Sequence, residues 1–339
     1  MILVTGGTGL VGSHLLFQLL KSNEKVRAIY RRAHKLETVK HVFGYYTKDV
    51  ETLYDKIEWV EANINDIPAL AEAFHGVSYV YHCAAFISFE PDKYFELRKV
   101  NIKGTANIVN LCISNQVQKL CYVSSIAALG HEPHPEIPVT EDTEWHPELD
   151  HSVYAITKYG AELEVWRGTQ EGVDAVIVNP GIILGPGYWK SGGSGSLFKQ
   201  IHRGLSYYPT GSSAYVDVWD VVTVMTELME KPIKNERYIV IAENVTFKDF
   251  QYQVAEALQV KPPKKAASKG LLNILWRLDW LRHNLFGKRR QLSKQMAHSI
   301  SDRTIYDHSK ITSELNFDFK PITKTISEVS AFYLKDLQR

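Results

Sequence analysis

The chain has 339 residues, and 45% of them are hydrophobic, which is enough apolar material for one large domain or two lobes. Its formal net charge is +1, so the composition gives no reason to expect a nucleic-acid partner. Glycines appear as early as Gly6, too soon for a signal peptide, and no apolar run approaches the length of a membrane span. We therefore expect a cytoplasmic protein whose three cysteines are buried, reduced thiols.

Short apolar runs alternate with amphipathic stretches over the first half of the chain. The runs that predict strands are Ile2–Thr5, Lys25–Tyr30, Lys56–Glu61, Val77–Cys83, Lys119–Ser124 and Asp174–Asn179. The stretches that predict helices are Leu10–Lys21, one that ends near His75, Asp92–Asn115 and Val153–Gln170. Because β and α elements alternate strictly, we predict an α/β fold of the Rossmann type, with a doubly wound parallel sheet.

The pattern changes after Pro180. A glycine- and serine-rich loop follows, then Val216–Met229 and Arg237–Ala242 predict one more helix and strand of the sheet, and the chain from Asn244 onward is mostly helical. We therefore expect a dinucleotide-binding domain formed by residues 1–180 and 214–242. A smaller, mostly helical substrate-binding lobe is expected to contain residues 181–213 and 243–339.

A glycine turn joins the first strand to the first helix. Gly6 allows the tight turn, Gly9 lets the backbone approach a pyrophosphate, and Gly12 lets the helix pack closely on the strand. Free N–H groups and the positive end of the helix dipole then face the phosphates. The motif alone is unspecific, but here it is in register with the strand and the helix, and it predicts a bound dinucleotide. The residues expected against the cofactor are Gly6, Thr8, Gly9, Leu10, Val11 and Gly12.

The end of the second strand bears on the choice of dinucleotide. NAD-binding folds usually carry an acidic residue there, which holds the ribose 2′-OH. This strand instead ends with Arg31 and Arg32, which can pair with a 2′-phosphate. We therefore predict NADP(H) in preference to NAD(H), the alternative being two solvated loop arginines.

Tyr154 and Lys158 are four residues apart on a predicted helix and share a face. A nearby ammonium lowers the pKa of a tyrosine, and the same lysine can hold the nicotinamide ribose. Ser124 and Ser125 end the fifth strand, where a hydroxyl can bind a substrate oxygen beside the tyrosine. Tyr306 and Lys310 repeat the spacing near the C-terminus, and we regard that pair as a decoy.

Taken together, these motifs resemble an extended short-chain dehydrogenase/reductase of the NAD-dependent epimerase/dehydratase family. The segments that carry the resemblance are Thr5–Gly12, His82–Ala85, Val100–Thr105, Tyr122–Ser125, Tyr154–Lys158, Asn179–Gly181, Leu184–Gly187, Tyr215–Asp220 and Ser309–Phe317. The resemblance implies an enzyme that uses NAD(P), and a homodimer through the helices of Asn101 and Tyr154.

The resemblance also implies roles for individual residues. Tyr154 would be the general acid–base and Lys158 its partner, and Asn101 would support them through a water relay. Ser125 is chosen over Ser124 because the family's catalytic Ser or Thr lies five residues before the glycine that closes the segment, here Gly130. The implied cofactor contacts also include Asn63, Ile64, Ala84, Ala85, Pro180, Gly181 and Ile183. Asn63 departs from the family, which often has an Asp there near the adenine amino group.

Three reactions are compatible with this family. Dehydratases carry an Asp-Glu pair after the catalytic residue, whereas Ile126 and Ala127 follow Ser125 and cannot move protons. Carbonyl reductases similar to dihydroflavonol reductase and 3β-hydroxysteroid dehydrogenase typically show an Asn-Pro followed by a Gly-Pro, as in Asn179-Pro180 and Gly185-Pro186. We therefore favour NAD(P)H-dependent reduction of a ketone or aldehyde, with NAD-dependent sugar-nucleotide epimerisation and a non-catalytic cofactor-binding regulator as alternatives.

A strongly apolar stretch, Leu271–Phe286, is followed by the basic residues 288–290. It predicts either a lid whose apolar face packs on the lobe, which we prefer, or a helix on a membrane surface. Either one favours an apolar substrate, although His202, Arg203 and Arg237 could hold the pyrophosphate of a nucleotide sugar. No metal site is predicted, because the histidines near residue 134 lack ligand spacing.

Overall fold

A seven-stranded parallel sheet is the centre of the fold. The computed structural model describes residues 1–22, 24–132, 134, 136–189, 193–287, 290 and 292–338. In these residues the strands are β1 (Ile2–Thr5), β2 (Val26–Tyr30), β3 (Glu58–Glu61), β4 (Tyr79–His82), β5 (Lys119–Val123), β6 (Ala175–Pro180), β7 (Ile182–Leu184), β8 (Tyr207–Pro209), β9 (Ser212–Asp217), β10 (Glu236–Val240), β11 (Glu243–Thr246) and β12 (Lys265–Ala267). The main sheet has the order β10-β6-β5-β4-β1-β2-β3, and its neighbours pair in parallel.

Helices cover both faces of this sheet. In the described residues the α-helices are α1 (Leu10–Lys21), α2 (Leu36–Phe43), α3 (Val50–Tyr54), α4 (Ile67–Ala73), α5 (Tyr94–Leu97), α6 (Gly104–Ser114), α7 (Val153–Gln170), α8 (Ser194–His202), α9 (Val218–Glu230), α10 (Phe247–Ala257), α11 (Lys269–Phe286), α12 (Lys294–Ser299), α13 (Ser309–Leu315) and α14 (Ile322–Leu337). One apolar cluster lies between the sheet and α1, α2 and α9, and a second between the sheet and α4, α6 and α7. The predicted Rossmann-type fold is confirmed.

The strand order reverses between β1 and β4, because β2 and β3 lie on one side of β1 and β5 and β6 on the other side of β4. In sheets of this kind ligands bind in the crevice beyond the carboxyl ends of the strands at such a reversal. The segments that follow β1, β4, β5 and β6 therefore border one crevice.

Several elements differ from the sequence-based expectation. The C-terminal part is not only helical, because β11, β9 and β7 form a small sheet and β12 pairs with β8. α2 and α3 were not predicted, and α9 begins at Val218 because the residues before it belong to β9. The helix predicted over Asp92–Asn115 is interrupted by a π-helical stretch, Arg98–Lys103. The division into two domains stays a prediction.

Helix α11 does not pack as predicted. Its apolar residues Ile274, Leu278 and Leu285 are all more than half exposed, so the expectation of a lid with its apolar face on the lobe is wrong. Of the basic residues that follow, Lys288 and Arg289 lie outside the described residues. In the part of the chain that the structure describes, no helix combines the length and the apolar character that a membrane crossing needs.

Candidate active site

The glycine turn lies between β1 and α1 and directly against the end of β4. Gly6 has a φ of +69°, and a Cβ there would lie 2.6 Å from the backbone nitrogen of Ala84. A Cβ at Gly12 would overlap the carbonyl oxygen of Gly6. Because Gly9 caps α1 without a side chain, the N-terminal end of this helix is open to a ligand.

The ends of β1 and β4 are joined by a buried polar contact. The hydroxyl oxygen of Thr5 lies 2.6 Å from Nδ1 of His82 and accepts the N–H of Ala84 at 3.2 Å. Burial lowers the pKa of His82 to about 3, so this ring is neutral. Ala84 is partly exposed and Ala85 is exposed, so both can touch a cofactor that lies over the turn.

The segment after β6 closes the other side of the turn. Gly181 donates its N–H to the carbonyl oxygen of Val240 at 3.2 Å, and Ile183 pairs with Val216 in the small sheet. The hydroxyl of Tyr188 then reaches back to the carbonyl oxygens of Gly9 at 3.0 Å and Thr8 at 3.1 Å. Gly181 and Ile183 are partly exposed, as are Thr8, Leu10 and Val11, whereas Pro180 is buried, and their contacts with a cofactor stay a prediction.

The residues expected around adenosine differ in whether their side chains already have partners within the protein. Arg31 and Arg32 are exposed, and in the described residues neither guanidinium has a hydrogen-bond or ion-pair partner. The amide oxygen of Asn63 accepts the N–H of Asn65 at 3.1 Å. The side chain of Ile64 is buried against Gly104, so only its backbone remains for the predicted contact.

Tyr154 is buried at the start of α7, and Ser125 is close enough to act on the pKa of its hydroxyl. The helix begins there because Ser152 caps it, accepting the N–H of Ala155 at 3.1 Å. Burial raises the pKa of Tyr154 to about 12, and the nearby hydroxyl of Ser125 opposes this rise. This side chain therefore carries its proton at neutral pH, and the expectation that Lys158 lowers its pKa is wrong.

Lys158 lies one turn further along α7 and is almost completely buried. Its ammonium donates to the hydroxyl of Tyr122 at 2.7 Å and to the carbonyl oxygen of Val123 at 2.8 Å. Burial lowers its pKa to about 7, while the charge of Glu162 opposes this shift. The ammonium is therefore bound by the end of β5 rather than by Tyr154, which explains why it does not stabilise the phenolate.

Asn101 links α7 to the segment after β4. Its amide oxygen accepts the N–H of Phe86 at 2.8 Å, and its amide nitrogen donates to the carbonyl oxygen of Phe86 at 3.0 Å and to the hydroxyl of Thr157 at 3.1 Å. It lies in the π-helical stretch, an irregularity that is frequent at functional sites. The predicted water relay to Lys158 stays a prediction.

Ser124 has a different partner from Ser125. Its hydroxyl donates to the carboxylate of Glu162 at 2.6 Å, and the same carboxylate binds Asn179 at 3.0 Å and Arg237 at 2.8 Å. Arg237 also donates to the backbone of Glu141, so the proposed use of this guanidinium for a pyrophosphate conflicts with the structure.

The second Tyr–Lys pair has other partners as well. The ammonium of Lys310 lies 2.6 Å from the carboxylate of Glu236 at the start of β10. This is the amino end of a parallel strand, whereas the crevice lies beyond the carboxyl ends. Tyr306 forms an isolated bridge with Val139. Sequence reasoning assigned no role to Tyr122 or to Phe89. The ring of Phe89 lies 5.5 Å from the ring of Tyr154. Tyr122 belongs to the quoted strand motif and could have been noticed there, whereas no sequence pattern distinguishes Phe89.

These residues fit a dinucleotide. The glycine turn leaves an uncapped helix end for the pyrophosphate, the unpaired arginines follow β2, and Ala84 lies beside the turn. In the described residues no cluster of His, Cys, Asp and Glu side chains could hold a metal ion.

Comparisons with known proteins agree with this description. The model of the "NAD dependent epimerase/dehydratase family" matches residues 2–242. "Sterol demethylase protein B" of Methylococcus capsulatus is 31% identical over 248 residues, which are 72% of this chain and 70% of that protein. A "bifunctional dihydroflavonol 4-reductase/flavanone 4-reductase" of Malus domestica is 28% identical over 280 residues, 78% of this chain and 76% of that protein. The structure of a UDP-glucose 4-epimerase from Thermotoga maritima with UDP-glucose superposes with a TM-score of 0.77 at 21% identity over 99% of both chains, a likeness of fold.

The fold, the site and the family model define an NAD(P)-dependent enzyme of the short-chain dehydrogenase/reductase class. Within that class, the chain belongs to the NAD-dependent epimerase/dehydratase family, because the family model covers well over half of its length. The predicted resemblance is thus confirmed.

Proposed function

We propose that this protein reduces the carbonyl group of a small apolar ketone or aldehyde with NADPH. The observation that carries the proposal is the position of Tyr154, which is buried at the start of α7 close to Ser125 at the end of β5. In this proposal the bound dinucleotide supplies the hydride to the carbonyl carbon.

The two hydroxyls have complementary tasks in the proposed reaction. Because burial keeps Tyr154 protonated at neutral pH, it can donate a proton to the developing alkoxide. Ser125 donates a hydrogen bond to the same oxygen and holds it beside the tyrosine. The contact between Ser124 and Glu162 supports the choice of Ser125 over Ser124, because the hydroxyl of Ser124 already donates its hydrogen bond to this carboxylate.

Lys158 and Asn101 are proposed to organise the site. Lys158 would turn from its partners on β5 to the ribose of the cofactor and hold the cofactor beside Tyr154. Asn101 fixes α7 against the segment after β4 and keeps Tyr154 and Lys158 in register.

The preference for NADPH and for an apolar substrate is supported by separate features. The free guanidinium groups of Arg31 and Arg32 suit a 2′-phosphate. The exposed ring of Phe89 beside Tyr154 and the exposed Ile87 offer apolar surface near the reacting groups. Relatives named as reductases, such as the Malus domestica enzyme, support reduction as the reaction.

The test is the variant Tyr154→Phe in a reductase assay with NADPH and a panel of apolar carbonyls. We expect turnover to fall by about 10²–10⁴-fold, because a positioned general acid is lost, while the Kd of NADPH stays nearly unchanged. Tyr306→Phe is the matched control, since it removes the tyrosine of the second Tyr-x-x-x-Lys pair. Near-normal turnover by Tyr154→Phe would contradict the assignment.

A thermal-shift panel separates this proposal from epimerisation. The panel contains NADPH, NADH, UDP-sugars and apolar ketones and aldehydes. We expect NADPH together with an apolar carbonyl to raise the Tm most. A larger shift with NADH and a UDP-sugar would instead favour the epimerase alternative.

A further inference from the structure

An unpaired apolar stripe runs along α11. Ile274, Leu278, Leu281 and Leu285 follow one another at helical spacing and are 58%, 55%, 45% and 65% exposed. The helix itself is well delimited, because the hydroxyl of Ser268 accepts the N–H of Leu271 at 3.2 Å and Gly287 ends it in the left-handed conformation.

The opposite face of α11 attaches the helix to the protein. Leu272 is buried in a small cluster with Ala267 and Ala297, and His283 lies 3.8 Å from Asp92. At 3.6 residues per turn, these two residues fall on the side of the helix away from the stripe. The stripe is therefore directed outward, and in the described residues none of its four side chains belongs to a core cluster.

The segment that contains this helix is strongly basic. Between Lys261 and Lys294 the sequence has ten Lys and Arg residues and a single acid, Asp279, a net charge of +9 in a chain whose total is +1. Asp279 is itself paired with Arg282 at 2.6 Å. An outward apolar stripe thus lies within the most positive part of an otherwise acidic protein.

We infer that α11 docks on the surface of a bilayer that contains anionic phospholipids. The stripe would enter the boundary between headgroups and acyl chains, and the surrounding cations would meet the lipid phosphates. A second copy of the chain is a poorer occupant, because a symmetric contact would bring two segments of charge +9 together.

This inference goes beyond the proposed reductase activity and does not depend on it. The contact between His283 and Asp92 sets the helix beside the segment that carries Phe89. An enzyme docked in this way would draw apolar compounds from the bilayer rather than from water.

The experiment is co-sedimentation of the full chain, without cofactor or substrate, with vesicles of phosphatidylcholine alone or mixed with phosphatidylglycerol. We expect binding to the mixed vesicles that weakens as salt is raised. The variant Ile274→Ser/Leu278→Ser/Leu281→Ser/Leu285→Ser should bind about tenfold more weakly or worse. The variant Lys264→Gln/Lys265→Gln/Lys269→Gln should lose about fivefold or more on anionic vesicles.

Ile67→Ser is the matched control, because Ile67 is 57% exposed on α4. It should bind vesicles like the wild type, and an unchanged Tm in all variants excludes a folding defect. Wild-type protein that stays in the supernatant with both vesicle types overturns the inference, as does equal binding by the four-serine variant. A wild-type dimer that this variant converts to a monomer in light scattering, without lipid, would assign the stripe to a second copy instead.

Discussion

The ammonium group of Lys158 lies 2.7 Å from the hydroxyl oxygen of Tyr122 and 4.4 Å from the centre of its ring. The hydroxyl of this tyrosine therefore stabilises a cation that is cut off from water. The ring of His82 stacks on the ring of Tyr122, with 5.4 Å between the two ring centres. Tyr122 thus connects the lysine of α7 to the strand ends that carry the glycine turn.

The variant Tyr122→Phe tests Tyr122 as a positioning residue. It keeps the ring but removes a hydrogen-bond acceptor of the ammonium, so that the pKa of Lys158 should fall further below about 7. At neutral pH we expect the Kd of NADPH to rise about tenfold, as for loss of a hydrogen bond to a charged group. The measurement is NADPH binding between pH 6 and 9, where affinity should partly recover at the acidic end.

Tyr81→Phe is the control for this variant, because Tyr81 is also buried, on the neighbouring strand, but packs in the cluster on the opposite face of the sheet. It should leave the binding curve unchanged. A purely structural role for Tyr122 would lower the Tm of Tyr122→Phe without moving its pH profile, and this result would argue against positioning.

The wild-type protein should bind NADPH more weakly as the pH rises through about 7. Burial lowers the pKa of Lys158 from its ordinary value to about 7, so the side chain is charged below this pH and neutral above it. Because the cofactor is an anion, it binds the charged form better, and binding takes up a proton. Calorimetry in buffers of different ionisation enthalpy measures this uptake, and Lys158→Met should abolish it; an uptake that persists in Lys158→Met would assign the proton to another group.

The sequence predicted the elements with strong local signals. α1 and α7 have the predicted limits, because α1 follows the glycine turn directly and Ser152 caps the start of α7, and the glycine turn lies where the pattern placed it. Strands of three residues, such as β7 and β12, contain too few positions for a period to be visible. They form only because distant segments pair with them.

The candidate site could be predicted only in part from the sequence, because some of its contacts join residues that are distant in the chain. Tyr154, Lys158 and Ser125 belong to motifs, whereas the contact of Lys158 with Tyr122 joins residues 36 positions apart and depends on how α7 packs on β5. The expected lowering of the Tyr154 pKa failed because helical spacing fixes which residues share a face but not which partner a flexible lysine selects. The burial that reversed the direction of the shift comes from the whole fold.

Arg31 and Arg32 should decide between the two dinucleotides. Both guanidinium groups are exposed after β2. We expect Arg31→Ser/Arg32→Ser to raise the Kd of NADPH about tenfold or more, because hydrogen bonds to a 2′-phosphate are lost, with little change for NADH. Arg303→Ser, a change at another exposed arginine, is the control. A parallel weakening of both cofactors would mean that the arginines act only through general electrostatic attraction.

Glu162 should be far more important for stability than its helical neighbour Glu164. Its side chain is 2% exposed and binds Arg237, Ser124 and Asn179, so that Glu162→Ala removes the anion that pairs with a part-buried guanidinium and the acceptor of a buried hydroxyl and amide. We expect a loss of about 3–5 kcal/mol in the free energy of unfolding, the usual cost of breaking a buried pair. The measurement is urea-induced unfolding followed by circular dichroism.

Glu164→Ala is the matched control on the same helix. Glu164 pairs with Arg167 at 2.9 Å, but both side chains are partly exposed, so that water screens the pair and its removal should cost about 1 kcal/mol or less. Equal losses of unfolding free energy for the two variants would show that helix propensity, rather than the buried network of Glu162, stabilises this part of α7. A large loss confined to Glu162→Ala, accompanied by weaker NADPH binding, would show that the same carboxylate stabilises the fold and supports the charge of Lys158.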